Sequence, residues 1–199
     1  MDMAERPAPR WPKAGDKVFL PQGSMRDLAQ LNAFVTVSST VYAVGFQMAA
    51  DKIIQAALQD DCYPDLLFAP VGYLYRHYLE LTLTHLVRLG LRIGAMDLDD
   101  KCLEVHDLHA LWVQSRKLIE AAWPNADRAD TDAVESVIME FHRLDKSGQA
   151  FRYGTDKRGH KHLDGIPEFV SLAQARSTME AVSNFLDGAV AGIEACDPG

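Results

Sequence analysis

The chain has 199 residues, 48% of them apolar and 24% charged, which is the size and composition of one ordinary globular domain. Collagen-like, low-complexity and largely disordered classes are thereby excluded, and a fold of this size buries roughly 70% of its extended-chain surface without needing staples. A net charge of −8 argues against a protein that coats nucleic acid or an anionic membrane over its whole surface, and leaves room only for a local basic site.

The first 22 residues hold four prolines (Pro7, Pro9, Pro12, Pro21) and no apolar run. They read as an extended arm over 1–22, followed by a helical domain over 23–193 and a tail over 194–199. The longest apolar stretch, Leu66 to Tyr75, is ten residues, about half of what a bilayer requires, so the expectation is a soluble cytoplasmic protein. Cys62, Cys102 and Cys196 are far apart and odd in number, which fits a reducing compartment and no disulfide framework.

From Ser24 to Asp60 apolar residues recur at helical spacing: Leu28, Leu31, Phe34/Val35, Val41/Tyr42, Gly45, Met48/Ala49 and Ile53. With Ser24 as N-cap, this predicts one long helix buried along that stripe. A second helix is expected from Pro70 to Leu89, stopped by Gly90. Its apolar residues cover more than one face, which predicts a central position. The third is expected to start near Asp107 and close before Pro124. The fourth follows the cap-like Asp130-Thr131-Asp132, and the fifth opens at Pro167-Glu168. Between the last two lies Ser147 to Gly165, with four glycines and no helical period; a loop this long is expected to be functional or disordered. Its aromatics Phe151 and Tyr153 predict packing. The fold class is therefore all-α: a single helical bundle of about five helices, with a structured loop or short hairpin between helices four and five.

Three clusters can carry chemistry. Within the insertion, Arg152, Lys157, Arg158 and Lys161 face only Asp156, with His160 and His162 nearby. Guanidinium forks and ammonium groups suit phosphate, and Tyr153 beside Arg152 can stack on a base. A solvated loop is the alternative. In the second helix, Arg76, His77 and Glu80 stand together, and Arg76 with Glu80 at i,i+4 can pair. A charge in an apolar helix must find a partner, so Glu80 is expected to receive Arg152, fixing loop to bundle; alternatively Arg76 and His77 face a phosphate. The third cluster is His106-Asp107-Leu108-His109, where Asp107 suits a helix cap and His106 can bond across to a neighbouring helix.

His106 and His109, with His160 and His162, lack the cysteine of a structural zinc site, so no metal is expected, and no other cofactor. Glycine-rich phosphate loops, HExxH and GxSxG are absent from the sequence. The acidic run Asp97-Leu98-Asp99-Asp100 lacks the remaining calcium ligands and is expected to form a solvated turn.

Three blocks in order, Tyr75-Arg76-His77-Tyr78-Leu79-Glu80-Leu81, then His106-Asp107-Leu108 with Leu111-Trp112, then Phe151-Arg152-Tyr153-Gly154-Thr155-Asp156, resemble HEPN-like helical proteins. The bacterial branch with an RHxxEL, HDLxxLW and FRYPxD pattern is the most similar. The resemblance implies a compact helical bundle, a homodimer, and a toxin–antitoxin or anti-phage defence setting. It implies RNA or a nucleotide as ligand, or an operon-encoded protein partner for a non-catalytic module. Its enzymes are metal-independent RNases in which histidine moves the 2′-hydroxyl proton and arginine steadies the phosphorane. Their arginine and histidine are separated by four to six residues. Here three residues separate Arg158 from His162, and seven separate Arg152 from His160. Arg152, His160 and His106 are the candidates for a site assembled from different segments. Arg76, His77, Arg152, Tyr153, Lys157 and Arg158 are candidate phosphate or RNA contacts. Arg76, Glu80, Asp107 and Arg152 are the candidate structural pairs.

Overall fold

The computed structural model describes residues 10–19, 23, 24, 26, 28, 29, 39–59, 63–94, 96–155, 158–161, 163 and 166–197. Chain contacts divide it into two units, 1–35 and 36–199. In the first, residues 10–19 carry neither helix nor strand. There Asp16 accepts from Arg10 (2.7 Å) and from the backbone N–H of Lys13 (2.8 Å), closing a turn.

The second unit is all-helical in its regular structure: α1 (Ser39–Gln59), α2 (Pro64–Ile93), a 3-10 turn (Asp100–Glu104), α3 (Leu108–Ala122), α4 (Ala129–Leu144) and α5 (Leu172–Glu194). No strand occurs among the described residues; the insertion holds a single antiparallel bridge, Thr155 to Lys161. α2 is the central rod, packed against α1, α3 and α5. It buries Val71, Tyr75, Tyr78, Leu79, Leu83, Leu86, Val87 and Leu89 on several sides at once, which is why its apolar pattern exceeds one stripe.

The helix ends correct several expectations. Ser24 does not cap α1: its Oγ accepts from Arg26, two residues on (3.3 Å), a local turn that competes with helix. The described residues at 23, 24, 26, 28 and 29 are not helical, and the expected stretch from 30 to 38 lies outside the described residues. The buried stripe of α1 is Ala43, Ala50, Ile54 and Ala57, whereas Tyr42, Gly45 and Met48 face outward. Ile53 of the expected stripe does pack against the core; apolar residues on both faces obscured the rest.

α2 starts six residues before Pro70, at Pro64, with Asp65 in its first turn. That pairing is itself a start signal, and Pro70 sits inside the helix. Gly90 is not the stop. Its missing side chain admits Leu98 and Leu118, whose methyls would lie 2.7 and 2.8 Å from an added Cβ. The helix ends four residues later at Gly94, whose φ of 62° is the left-handed cap conformation.

Asp107 caps α3, accepting from Ala110 N–H (2.9 Å). α4 begins before Asp130, because Asp127 accepts from Ala129 N–H (3.0 Å) and draws the start forward. α5 begins after Pro167, where Ser171 Oγ accepts from Gln174 N–H (3.2 Å). The acidic run is more than a solvated turn, since Asp99 caps the 3-10 turn through Lys101 N–H (3.1 Å). No described helix is long and apolar enough to cross a membrane.

Candidate functional site

Arg76 enters the core one turn before the middle of α2, and its side chain is 3% exposed. Burying a guanidinium requires an acceptor for each nitrogen, and the fold supplies them from three directions. Nη1 donates to Glu80 Oε2 (2.6 Å), Nη2 to the carbonyl of His106 (2.7 Å), and Nε to the carbonyl of Asp145 (3.1 Å). Asp145 Oδ2 lies 3.4 Å from Nε. Asp145 Oδ1 in turn accepts from Gln149 and Ala150 N–H (2.7 and 3.0 Å), holding the root of the insertion in a tight turn. One guanidinium therefore ties together α2, the approach to α3 and the end of α4. Gly148 covers its plane: with φ of 73°, an added Cβ would lie 3.2 Å from Nη1. Gly148→Ala is expected to cost about 1–2 kcal/mol from the left-handed backbone alone, read as a lower urea midpoint.

Glu80 divides its carboxylate. Oε2 takes Arg76, with His77 Nδ1 at 4.0 Å, and Oε1 meets His106 Nδ1 at 2.5 Å. Burial acts to raise the Glu80 pKa, but the nearby His77 and the hydrogen-bonded His106 and Arg76 outweigh it and bring the carboxyl down to about 2. A carboxyl held below its ordinary 4.5 contributes stability above that pH and loses it as pH falls towards 2. Glu80→Gln should therefore flatten the fall in urea midpoint between pH 4.5 and 2, while an equally steep fall would show that other groups govern it.

The His106 ring stays 75% exposed although its Nδ1 is held, so Nε2 is left towards solvent. His77 stacks on Tyr73 (5.8 Å, 6° between planes) and meets Phe46 edge-on at 4.4 Å. On the other side of Asp107, the His109 and His142 rings lie 5.7 Å apart. His142 Nδ1 is buried without a hydrogen bond, 3.5 Å from Asp107 Oδ1. Burial pushes its pKa below the ordinary value despite Asp107. Four of the seven histidines thus gather around the Arg76 hub.

The expected pairing of Arg152 with Glu80 is corrected. Glu80 is occupied by Arg76 and His106, and the partner that the loop sends to Arg76 is Asp145. Arg152 is exposed; its guanidinium lies over the Tyr153 ring (5.3 Å) and donates to the Tyr153 hydroxyl at 3.3 Å. It lies within electrostatic range of Tyr73 and Asp145. Arg76 as a phosphate contact is corrected too, since its nitrogens are committed to protein acceptors. Phe151 is the residue that packs the insertion, whereas Tyr153 is exposed. The Phe151 ring packs against Gly72, where an added Cβ would come within 2.5 Å, and between Phe68 and Phe141. Arg158, His160 and Lys161 are exposed, while Lys157 and His162 lie outside the described residues.

No group of three or more His, Cys, Asp or Glu able to hold a metal occurs among the described residues. Cys102 is buried and donates to the Asp99 carbonyl (3.1 Å), Cys196 is exposed, and Cys62 lies outside the described residues. Sequence reasoning missed Asp145, Tyr73 and His142. For Asp145 the turn signal Asp-Lys-Ser-Gly was present, but its partner is a tertiary choice. Set against protein-family models, curated proteins and solved structures, the chain matches none.

Proposed function

We propose that this chain is a HEPN-like protein whose insertion and adjoining histidines engage the phosphates of RNA or of a nucleotide. One observation carries this reading. The Arg76 hub holds the backbone of exposed His106 and, through Asp145, the root of the insertion that carries exposed Arg152 on a single buried guanidinium. Arg152 with Tyr153 offers a cation beside a stackable ring, the pairing that single-stranded nucleic acid favours. Lys161, exposed on the same insertion, adds positive charge in a chain that is otherwise acidic. His106 is the group best prepared for proton transfer, because Glu80 fixes one ring nitrogen and leaves the other outward. The resemblance extends the reading to a cytoplasmic protein in a defence or toxin–antitoxin setting. Any cleavage would be metal-independent and built on His106 rather than on the Arg-x4-6-His motif.

Fluorescence anisotropy with a labelled single-stranded RNA, with and without EDTA, tests it. Wild type is expected to bind in both. The double variant Arg152→Ala/Lys161→Ala should bind at least tenfold more weakly with unchanged circular dichroism. Equal binding by that folded variant would reject the assignment.

A second reading, a non-catalytic dimerisation module, is favoured by α1, where Tyr42, Val44 and Met48 are 59, 41 and 51% exposed. Exposed apolar side chains of this kind on one helix suit a partner helix. If α1 pairs two copies, Met48→Lys should halve the mass found by sedimentation; an unchanged mass removes α1 from any such contact.

A further inference from the structure

A cleft of about 660 Å3 opens beside the insertion, between α2, α4, the start of α5 and the chain leading into it. Its size falls within the roughly 300–1,000 Å3 of small-molecule sites. Phe68, Phe141 and Phe151 line it, with ring centroids 6.1 and 6.2 Å apart in the two pairs that Phe151 makes. Phe169 also lines it and is 86% exposed, so its ring face is accessible to a bound molecule. The polar complement is sparse and of two signs. Arg143 and Glu140 are both exposed and both line the cleft, and neither makes an ion pair among the described residues.

We infer that this cleft receives a planar aromatic ring carrying an anionic substituent and a ring amino group, the chemistry of an unstacked nucleotide. The rings supply stacking surface, which is sequence-tolerant because every base has a π-face. Arg143 meets the phosphate, and Glu140 accepts from an exocyclic amine. Arg143 is unlike Arg76 in this respect: one is exposed at a cavity rim, the other enclosed by protein acceptors. The inference rests on the proposed phosphate-directed function and adds a base subsite to it. Phe151 connects the two, since its ring belongs to the cleft while the next residue, Arg152, is exposed on the basic loop.

Two sources offer this chemistry, a free mononucleotide and a splayed base of single-stranded RNA. Calorimetric titration with AMP, adenosine, a six-nucleotide single-stranded RNA and dodecanoate separates them. The variants are Phe169→Ala and Arg143→Gln, both at exposed positions and checked by circular dichroism. AMP is expected to bind wild type, and Phe169→Ala to weaken it about tenfold, within the five- to 150-fold span of losing one aromatic stack. Arg143→Gln should weaken AMP and leave adenosine unchanged, because only the phosphate is lost from the contact. If the RNA source is correct, the oligomer loses affinity in Phe169→Ala in parallel with AMP; if the free nucleotide is the ligand, only AMP does. Absence of AMP binding at millimolar concentration, equal AMP binding by both variants, or preference for dodecanoate would overturn the inference. RNA binding that depends on Arg152 and Lys161, together with AMP binding that is absent or indifferent to Phe169, would remove the base subsite and keep the proposed function. Failure of the wild type to bind either the RNA or AMP would remove both.

Discussion

Replacing Arg76 by leucine is expected to destabilise the protein by about 3–5 kcal/mol, the usual cost of breaking a buried ion pair by removing one partner. The size follows from what the variant leaves behind. Glu80 and Asp145 are 13 and 1% exposed in their side chains, and both would lose the cation that lets them remain charged. The carbonyls of His106 and Asp145 would lose their donor in the same step. Arg76→Lys should recover little of this, because one ammonium cannot reach acceptors that lie in three directions around a planar fork. Urea denaturation followed by circular dichroism measures it. A loss below about 1 kcal/mol would mean that the hub carries no such burden.

Phe151→Ala is the second large effect, also about 3–5 kcal/mol, as expected for a buried phenyl group truncated in a packed site. Phe151 is 6% exposed and wedges between Phe68 and Phe141 against the backbone of Gly72. Nothing else of comparable size anchors the insertion among its described residues. The loss should therefore appear as a lower melting temperature together with faster amide exchange over residues 147–161. Lower stability with unchanged exchange there would show that the Asp145 turn alone holds the loop.

The bundle was legible because α2, α3, α4 and α5 carry strong apolar periods, and α3 a local start signal in Asp107 before Leu108. Several boundaries moved where two signals compete: Pro64 against Pro70, Gly94 against Gly90, Asp127 against Asp130 and Ser171 against Pro167. At Gly90 the choice depends on what packs nearby, Leu98 and Leu118. The same limit applies to the polar cluster. That Arg76 and Glu80 pair is readable from their spacing alone. That the loop contributes Asp145 rather than Arg152 is not, since the two differ only in which side chain the turn at 145–150 aims inward. α1 shows the converse problem: Ala43, Ala50 and Ala57 are weak markers of a buried face, and Tyr42 and Met48 are strong markers of an exposed one.

In the proposed function Arg76 is reserved for structure, and Arg152 and Lys161 are the cations that meet phosphate. The salt dependence of single-stranded RNA affinity tests it most directly. Each phosphate contact contributes about 0.7 to the slope of log K against log salt on a single strand. Arg152→Ala is predicted to reduce that slope by about 0.7 and to lower affinity at low salt, with the fold intact. The same slope and the same affinity in wild type and Arg152→Ala would contradict the account.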